Sequence, residues 1–255
     1  MGMISPGITI AELPGRARGW TPSDLGSLLL AYWDAERLDK IDLSGSLVNS
    51  WTDSVGALSA SQSTSGFKPV YSATSFNGRP GITFDGTDDL LLNTALAANL
   101  LPTGSNPSEI WVLVNQTVLP AVTTTGTVFL YGTTGANNRR VIRRVVVSAV
   151  NRAQASTGTG GGTTQISDTV GDLSGYHVMQ MVTDAVNTNI AIDGAAPISG
   201  AVVPNSLNSA IAMGCVTGGT NPFGGSINKI IVTAPLDSAQ RALLLAFLKP
   251  IGGIA

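Results

Sequence analysis

Glycine and proline punctuation constrains this chain more than any other feature. Its 255 residues include thirty glycines and thirteen prolines, and the segments between these breakers are short apolar runs, not long helical periods. The runs are Leu28–Trp33, Leu47–Trp51, Gly81–Asp85, Ile110–Asn115, Thr127–Leu130, Val141–Val147, His177–Val182, Asn189–Ile192, Ala210–Cys215 and Ser226–Val232. Short apolar runs bounded by Gly, Asn and Pro read as strands, and many in succession favour a sandwich or barrel over a helix-alternating parallel sheet. The chain is expected to be all-β.

Two helical signals interrupt this pattern. Thr21-Pro22-Ser23-Asp24 combines an N-cap residue, proline at the first helical position and an acidic first turn. Near the end of the sequence, Asp237 can cap a helix with Gln240 three residues on, Ala242–Leu248 forms its body, and Lys249-Pro250 is expected to stop it. That body is apolar almost all round, so a sandwich face or a neighbouring subunit must cover it. The glycine- and threonine-rich tract 158–164 lacks the Lys-Ser/Thr ending of a phosphate loop and reads as a hairpin connection.

Composition narrows the partners. Hydrophobic residues make up 43% of the chain, enough for a sizeable core, whereas charged residues make up only 12%, about half the usual share. A surface so poor in charge is rich in Ser, Thr, Asn and Gly or covered by neighbours, which suits a homo-oligomer or an assembly protein. The net charge of −2 argues against nucleic acid as a partner. The longest apolar run, Ala242–Leu248, is too short for membrane insertion. No basic-then-apolar leader is seen, so export would need another vehicle than a secretory signal of its own. The lone cysteine, Cys215, sits in an apolar run and reads as a buried thiol.

Residues 1–20 differ from the rest. Ile8 and Ile10 alternate with Thr9 and Ala11, Pro14-Gly15 breaks the pattern, and Arg16 and Arg18 follow. This is either a frayed end or an extended anchoring arm that docks on a neighbour by strand addition. The expected division is an arm over 1–20 and one domain over 21–255.

Candidate chemistry is sparse. Asp85, Asp88 and Asp89 follow Phe84 around an Asp-Gly turn; Asp85 can hold that turn through backbone N–H groups, and the three carboxylates are also a weak calcium candidate. No other cofactor is expected. Glycoside hydrolysis needs two flanking carboxyl groups, but the three glutamates, Glu12, Glu36 and Glu109, lie in separate segments. The only histidine, His177, shares a strand face with Met179 and Met181 and reads as a packed, hydrogen-bonded residue. One Cys and one His exclude a Cys/His metal site. No catalytic set is expected. The basic run Arg139-Arg140-Val141-Ile142-Arg143-Arg144 places Arg140 and Arg144 on one strand face and Arg139 and Arg143 on the other. It reads either as a charge-protected edge strand or subunit contact, or as a receptor for an anionic partner.

The order of these segments resembles the concanavalin A-like (LamG-type) jelly-roll domains of phage and prophage virion proteins. The resemblance rests on Tyr32-Trp33-Asp34-Ala35, Trp51-Thr52-Asp53, Phe84-Asp85-Gly86, Ile192-Asp193-Gly194, Phe223-Gly224-Gly225-Ser226 and Leu236-Asp237-Ser238-Ala239-Gln240-Arg241, and it covers about residues 21–249. It implies a concanavalin A-like jelly-roll β-sandwich with a short C-terminal helix and an N-terminal arm. It further implies a non-enzymatic virion protein, a capsid decoration or tail component, whose partners are other virion proteins and host surface glycans. The alternative on the same fold is a polysaccharide-degrading depolymerase.

Overall fold

The structure, a computed structural model, describes residues 19–56, 58–96, 101–117, 125–132, 139–147, 150–159, 162–169, 173–184, 186–201, 210–216 and 220–255. Ile8, Ile10, Arg16 and Arg18 therefore lie outside the described residues, as does most of the expected arm. The first strands are β1 (Leu29–Asp34), β2 (Ile41–Ser44), β3 (Leu47–Thr52), β4 (Ser59–Ser61), β5 (Val70–Phe76), β6 (Arg79–Asp85) and β7 (Leu91–Asn93). Next come β8 (Ser108–Gln116), β9 (Thr125–Gly132), β10 (Arg139–Val147), β11 (Val150–Thr159), β12 (Gly162–Ser167) and β13 (Gly175–Thr183). The chain then forms β14 (Thr188–Ile192), β15 (Ile198–Gly200), β16 (Ala210–Met213), β17 (Gly224–Thr233) and a helix, α1 (Ser238–Gly252).

All ladders are antiparallel and join into one sheet folded over itself as two layers. The first layer runs β15-β14-β13-β8-β17, with β6 and β1 sharing the far edge of β17 and β5 beyond β6. The second runs β12-β11-β10-β9-β16-β7-β4-β3-β2. Among the described residues a single pairing, Leu47 with Val70, links the layers through β3 and β5. The all-β sandwich expected from the sequence is what forms.

Alternation explains how the layers hold. Ile110, Val112 and Val114 of β8 join Trp33, Trp51, Phe129, Ile142 and Met179 in the core between the layers. Trp111 and Leu113 point the other way and pack under α1 with Val178 and Ile231. Because both faces of β8 are covered, its sequence reads as an unbroken apolar run. Each fully buried large apolar side chain contributes about 1.5–3 kcal/mol.

The helix begins as expected. Asp237 accepts from Gln240 N at 2.8 Å, and Gln240 Oε1 accepts from Asp237 N at 3.0 Å. Its end differs: Pro250 lies inside the helix, which closes at Gly253 with φ 66°. Proline removes only its own N–H, and the final carbonyls are satisfied when Gly253 N and Ile254 N donate to Pro250 O and Lys249 O. Leu244, Leu248 and Ile251 form the buried stripe on the first layer, while Leu243 stays 44% exposed. The cover is thus the chain's own sheet, and it reaches one side of the helix.

The glycine-rich tract at 158–164 falls in the β11–β12 hairpin, with residues 160 and 161 outside the described ones. Pro22–Leu28 is a 3-10 segment kinked at Gly26, where φ is +58°.

Candidate functional site

The outer face of the first layer carries a charged pocket that the sequence reading did not assemble. Tyr32 and Asp34 alternate outward on β1, and Lys229 stands directly across from Asp34 on β17. Lys229 Nζ lies 2.6 Å from Asp34 Oδ1 and 3.4 Å from Glu36 Oε1. Asp34 Oδ2 accepts from the Tyr32 hydroxyl at 2.7 Å, and Asp34 Oδ1 also accepts from Glu36 N at 2.9 Å. Burial, and then the Asp34 carboxylate, raise the Tyr32 hydroxyl far above the ordinary tyrosine range, so it remains a proton donor.

Glu36 and Arg79 form the pocket's open side, 3.4 Å apart, with Arg79 about half exposed. Phe247 from α1 is the apolar wall; its ring centroid lies 5.8 Å from Lys229 Nζ and 6.1 Å edge-on from Trp20. The pocket's volume is about 500 Å³. An ion-paired floor, a charged rim and an aromatic wall suit a small polar ligand that also presents an apolar face. The signal available in the sequence was Lys229 itself, a lone cation inside the apolar strand Ile227–Val232.

A second cavity of about 490 Å³ opens between β13, β14 and the start of α1. Its floor is Glu109, fully buried, whose Oε1 accepts from Leu236 N at 2.9 Å and from Arg241 Nη2 at 2.7 Å. Gln180 donates to Glu109 Oε2 at 3.2 Å. These bonds tie α1 to β8, which gives Arg241 of the Leu236–Arg241 motif a structural task.

The arginine run divides as alternation requires, but it is not an edge. Strand β10 is paired on both sides, by β9 and by β11, so the edge-strand reading is corrected: the arginines lie inside the second layer because their neighbours supply ladder partners along the whole run. Arg140 and Arg144 face inward beside Ile142 and are fully buried. Arg140 donates to Tyr131 Oη at 2.7 Å, Asn106 O at 2.6 Å, Gly104 O at 3.1 Å and the Ser108 hydroxyl. Arg139 and Arg143 share the outer face with Val141.

The aspartates sit where the turn needs them. Asp85 Oδ1 accepts from Thr87 N at 2.8 Å and Asp88 N at 3.3 Å, and Asp89 Oδ2 accepts from Asp85 N at 2.8 Å. The turn-holding reading of Asp85 is thus seen directly. One carboxylate oxygen from each of Asp85, Asp88 and Asp89 lies within 4.8 Å of the others, but Asp85 and Asp89 each give an oxygen to backbone N–H groups. Calcium takes six to eight oxygens at about 2.3–2.6 Å, so the set fits a held turn better than a metal cage.

His177 is packed and hydrogen-bonded, with Nδ1 2.7 Å from Asp193 Oδ2 and Nε2 3.2 Å from Ser174 O. Cys215 is buried and free of disulfide. Among the described residues, no helix is long and apolar enough to cross a membrane.

No protein-family model and no curated protein matches this sequence. Solved structures do match in fold. A GH54 α-L-arabinofuranosidase aligns with 15% identity and a TM-score of 0.56, covering 80% of this chain and 50% of the enzyme, so the chain spans half the length of that protein. Domain 4 of AbnA, an extracellular GH43 arabinanase of Geobacillus stearothermophilus, in complex with arabinotriose, aligns with 16% identity and a TM-score of 0.56, covering 86% and 98%. The enzymatically active domain of tailspike protein 2 of bacteriophage CBA120 aligns with 15% identity and a TM-score of 0.52, covering 72% and 30%. At such identities the likeness is one of fold: this chain is an all-β sandwich.

Proposed function

We propose that this chain is a non-enzymatic component of a phage virion that displays a glycan-binding β-sandwich. Residues 1–20 anchor it to other virion proteins of the capsid or tail, and the Asp34–Glu36–Arg79 pocket receives a host surface sugar. The observation that carries the reading is the pocket's organisation. Charged groups for sugar hydroxyls surround a space walled by Phe247, and both carboxylates are engaged by Lys229. Glycoside hydrolysis asks one carboxyl group to donate a proton and a second to act across the bond; two carboxylates on one ammonium serve orientation and binding instead. The arabinanase domain solved with arabinotriose supports a glycan ligand on this fold, and the phage tailspike domain supports its use in a virion.

A glycan array run beside a reducing-end assay tests the proposal. Retention of specific oligosaccharides without release of reducing ends is expected, with Glu36→Ala or Arg79→Ala abolishing retention. Release of new reducing ends would favour the second reading, a polysaccharide-degrading depolymerase, which the arabinofuranosidase and tailspike likenesses also support. Deleting residues 1–20 is expected to leave a folded domain that no longer enters particles; particles still carrying the truncated chain would remove the anchoring role.

A further inference from the structure

Helix α1 is narrower than the sheet beneath it, and the cavity between β13, β14 and the helix is the part it leaves open. The β8–β13–β14 register places Glu109, Val182 and Asn189 in one outward row, and Trp111, Gln180 and Ala191 in the next. The helix packs over Trp111, whereas Gln180, Val182 and Asn189 stay half-buried around a space of about 490 Å³. Ala242 and Leu245 line it on the helix side. Pro107, Pro197 and Pro235 add ring faces that carry no N–H.

The carboxylate at the floor is unevenly satisfied. Glu109 is fully buried, and its Oε1 takes three donors: Leu236 N at 2.9 Å, Arg241 Nε at 3.0 Å and Arg241 Nη2 at 2.7 Å. Oε2 takes one, Gln180 Nε2 at 3.2 Å, although each carboxylate oxygen has about two lone-pair sites. Among the described residues, Gln180 Oε1 accepts no hydrogen bond and Arg241 Nη1 donates none. Asn189 Oδ1 accepts from the Ser199 hydroxyl, while its Nδ2 has no partner among the described residues. The lining therefore offers both acceptors and donors, and the Glu109 charge is already balanced by Arg241.

That mixture selects the ligand. A hydroxyl donates and accepts at once, so a ring of hydroxyls can meet both sets. A carboxylate only accepts, and it would be brought against Glu109 and Asp184, which also lines the cavity. An ammonium only donates, and it would be brought against Arg241. We propose that this cavity is a second carbohydrate subsite, specific for a neutral sugar residue. Its hydroxyls meet Glu109 Oε2, Gln180 and Asn189, and its apolar ring face lies against Leu245 and the prolines. The subsite shares no lining residue with the Asp34–Glu36–Arg79 pocket and does not depend on it.

The test is an NMR amide-shift titration of the full chain. The probes are the methyl glycosides of glucose, mannose and galactose, with the uronic-acid and amino-sugar counterparts of each. At least one neutral glycoside is expected to shift the amides of Gln180, Leu236 and Arg241 saturably, with its charged counterparts binding about tenfold more weakly. Ala242 is exposed on α1 at the cavity wall, so Ala242→Trp is expected to abolish the shifts without lowering the melting temperature. Ala195, also exposed and lining the cavity, gives a second blocking variant, Ala195→Trp, should the helix variant fail to fold. Arg79→Ala is expected to leave binding intact. The absence of a saturable shift with all the neutral glycosides overturns the proposal, as does a charged counterpart binding as tightly. So does binding that survives both tryptophan variants, or that is lost in Arg79→Ala, which would put the sugar in the other pocket.

Discussion

Lys229 and Asp34 face each other across the β1–β17 ladder, 195 residues apart in sequence, with Nζ and Oδ1 separated by 2.6 Å. The lysine side chain is 2% exposed and lies near the rings of Tyr32 and Phe247. Its charge is therefore tolerated only because the carboxylates of Asp34 and Glu36 meet it. The pair links the floor of the pocket to the ladder joining the first strand of the fold to the last.

Breaking that pair from one side leaves a buried charge. Asp34→Asn and Lys229→Met are each expected to cost about 3–5 kcal/mol, whereas replacing both by apolar residues costs less than the sum. Denaturant melts of the two single variants and the double variant measure the coupling. Strict additivity would mean that the contact contributes nothing.

Arg140 makes a different prediction from its neighbours in the same run. Its guanidinium spans the core from β10 to Gly104, Asn106 and Ser108. Arg140→Ala opens a large buried space and leaves the Gly104 and Asn106 carbonyls without this donor, while the Tyr131 hydroxyl keeps only Ser108 Oγ at 2.9 Å, so a loss of about 3–5 kcal/mol is expected. Thermal melts should show Arg140→Ala falling well below Arg139→Gln; equal melting temperatures would contradict the inward and outward division.

Arg241 holds α1 to the sheet through Glu109, which is fully buried. Arg241→Met leaves that carboxylate with only Leu236 N and Gln180 as donors. A loss of about 2–4 kcal/mol is expected, with hydrogen exchange along α1 rising before that of β8. Uniform exchange across both elements would show that the helix is held by its apolar stripe alone.

Strands buried on both faces, such as β8 and β17, were legible because burial leaves an apolar run that turn residues bracket. Strand β11, Val150–Thr159, was not. Its inner face carries small residues such as Ala153 and Ala155 and its outer face carries Gln154 and Ser156, so no hydrophobic alternation marks it. Strand β5, mostly Ser, Thr and Ala over 72–75, escaped for the same reason. The pocket was hidden more deeply: alternation shows that Asp34 points away from Trp33, but only the ladder register says that Lys229 stands opposite. The facing of the four arginines, by contrast, followed from period-two alternation alone; what alternation cannot supply is whether neighbours pair on both sides, and that decides between an edge and a buried layer.

Asp89 makes stability depend on pH. Burial raises its carboxyl from 3.8 to about 6, opposed by the hydrogen bond from Asp85 N and reinforced by the charges of Asp85 and Asp88. A folded-state value above the unfolded one means that the folded protein holds this proton more tightly. The stabilisation is fully present below about pH 4 and is lost as pH rises through about 6. Asp89→Asn keeps an acceptor for Asp85 N and carries no charge at any pH. It is therefore expected to be more stable than the parent at pH 8, by on the order of 1–3 kcal/mol, with the two converging near pH 4. Denaturant unfolding across that range measures the gap, and a gap that stays constant with pH would place the titration elsewhere. Calcium provides the complementary test, because a metal bound by Asp85, Asp88 and Asp89 would favour the ionised carboxylate and stabilise the parent most at high pH. The backbone N–H groups already directed at Asp85 and Asp89 lead to the opposite expectation: melting at pH 8 unchanged between millimolar calcium and chelator.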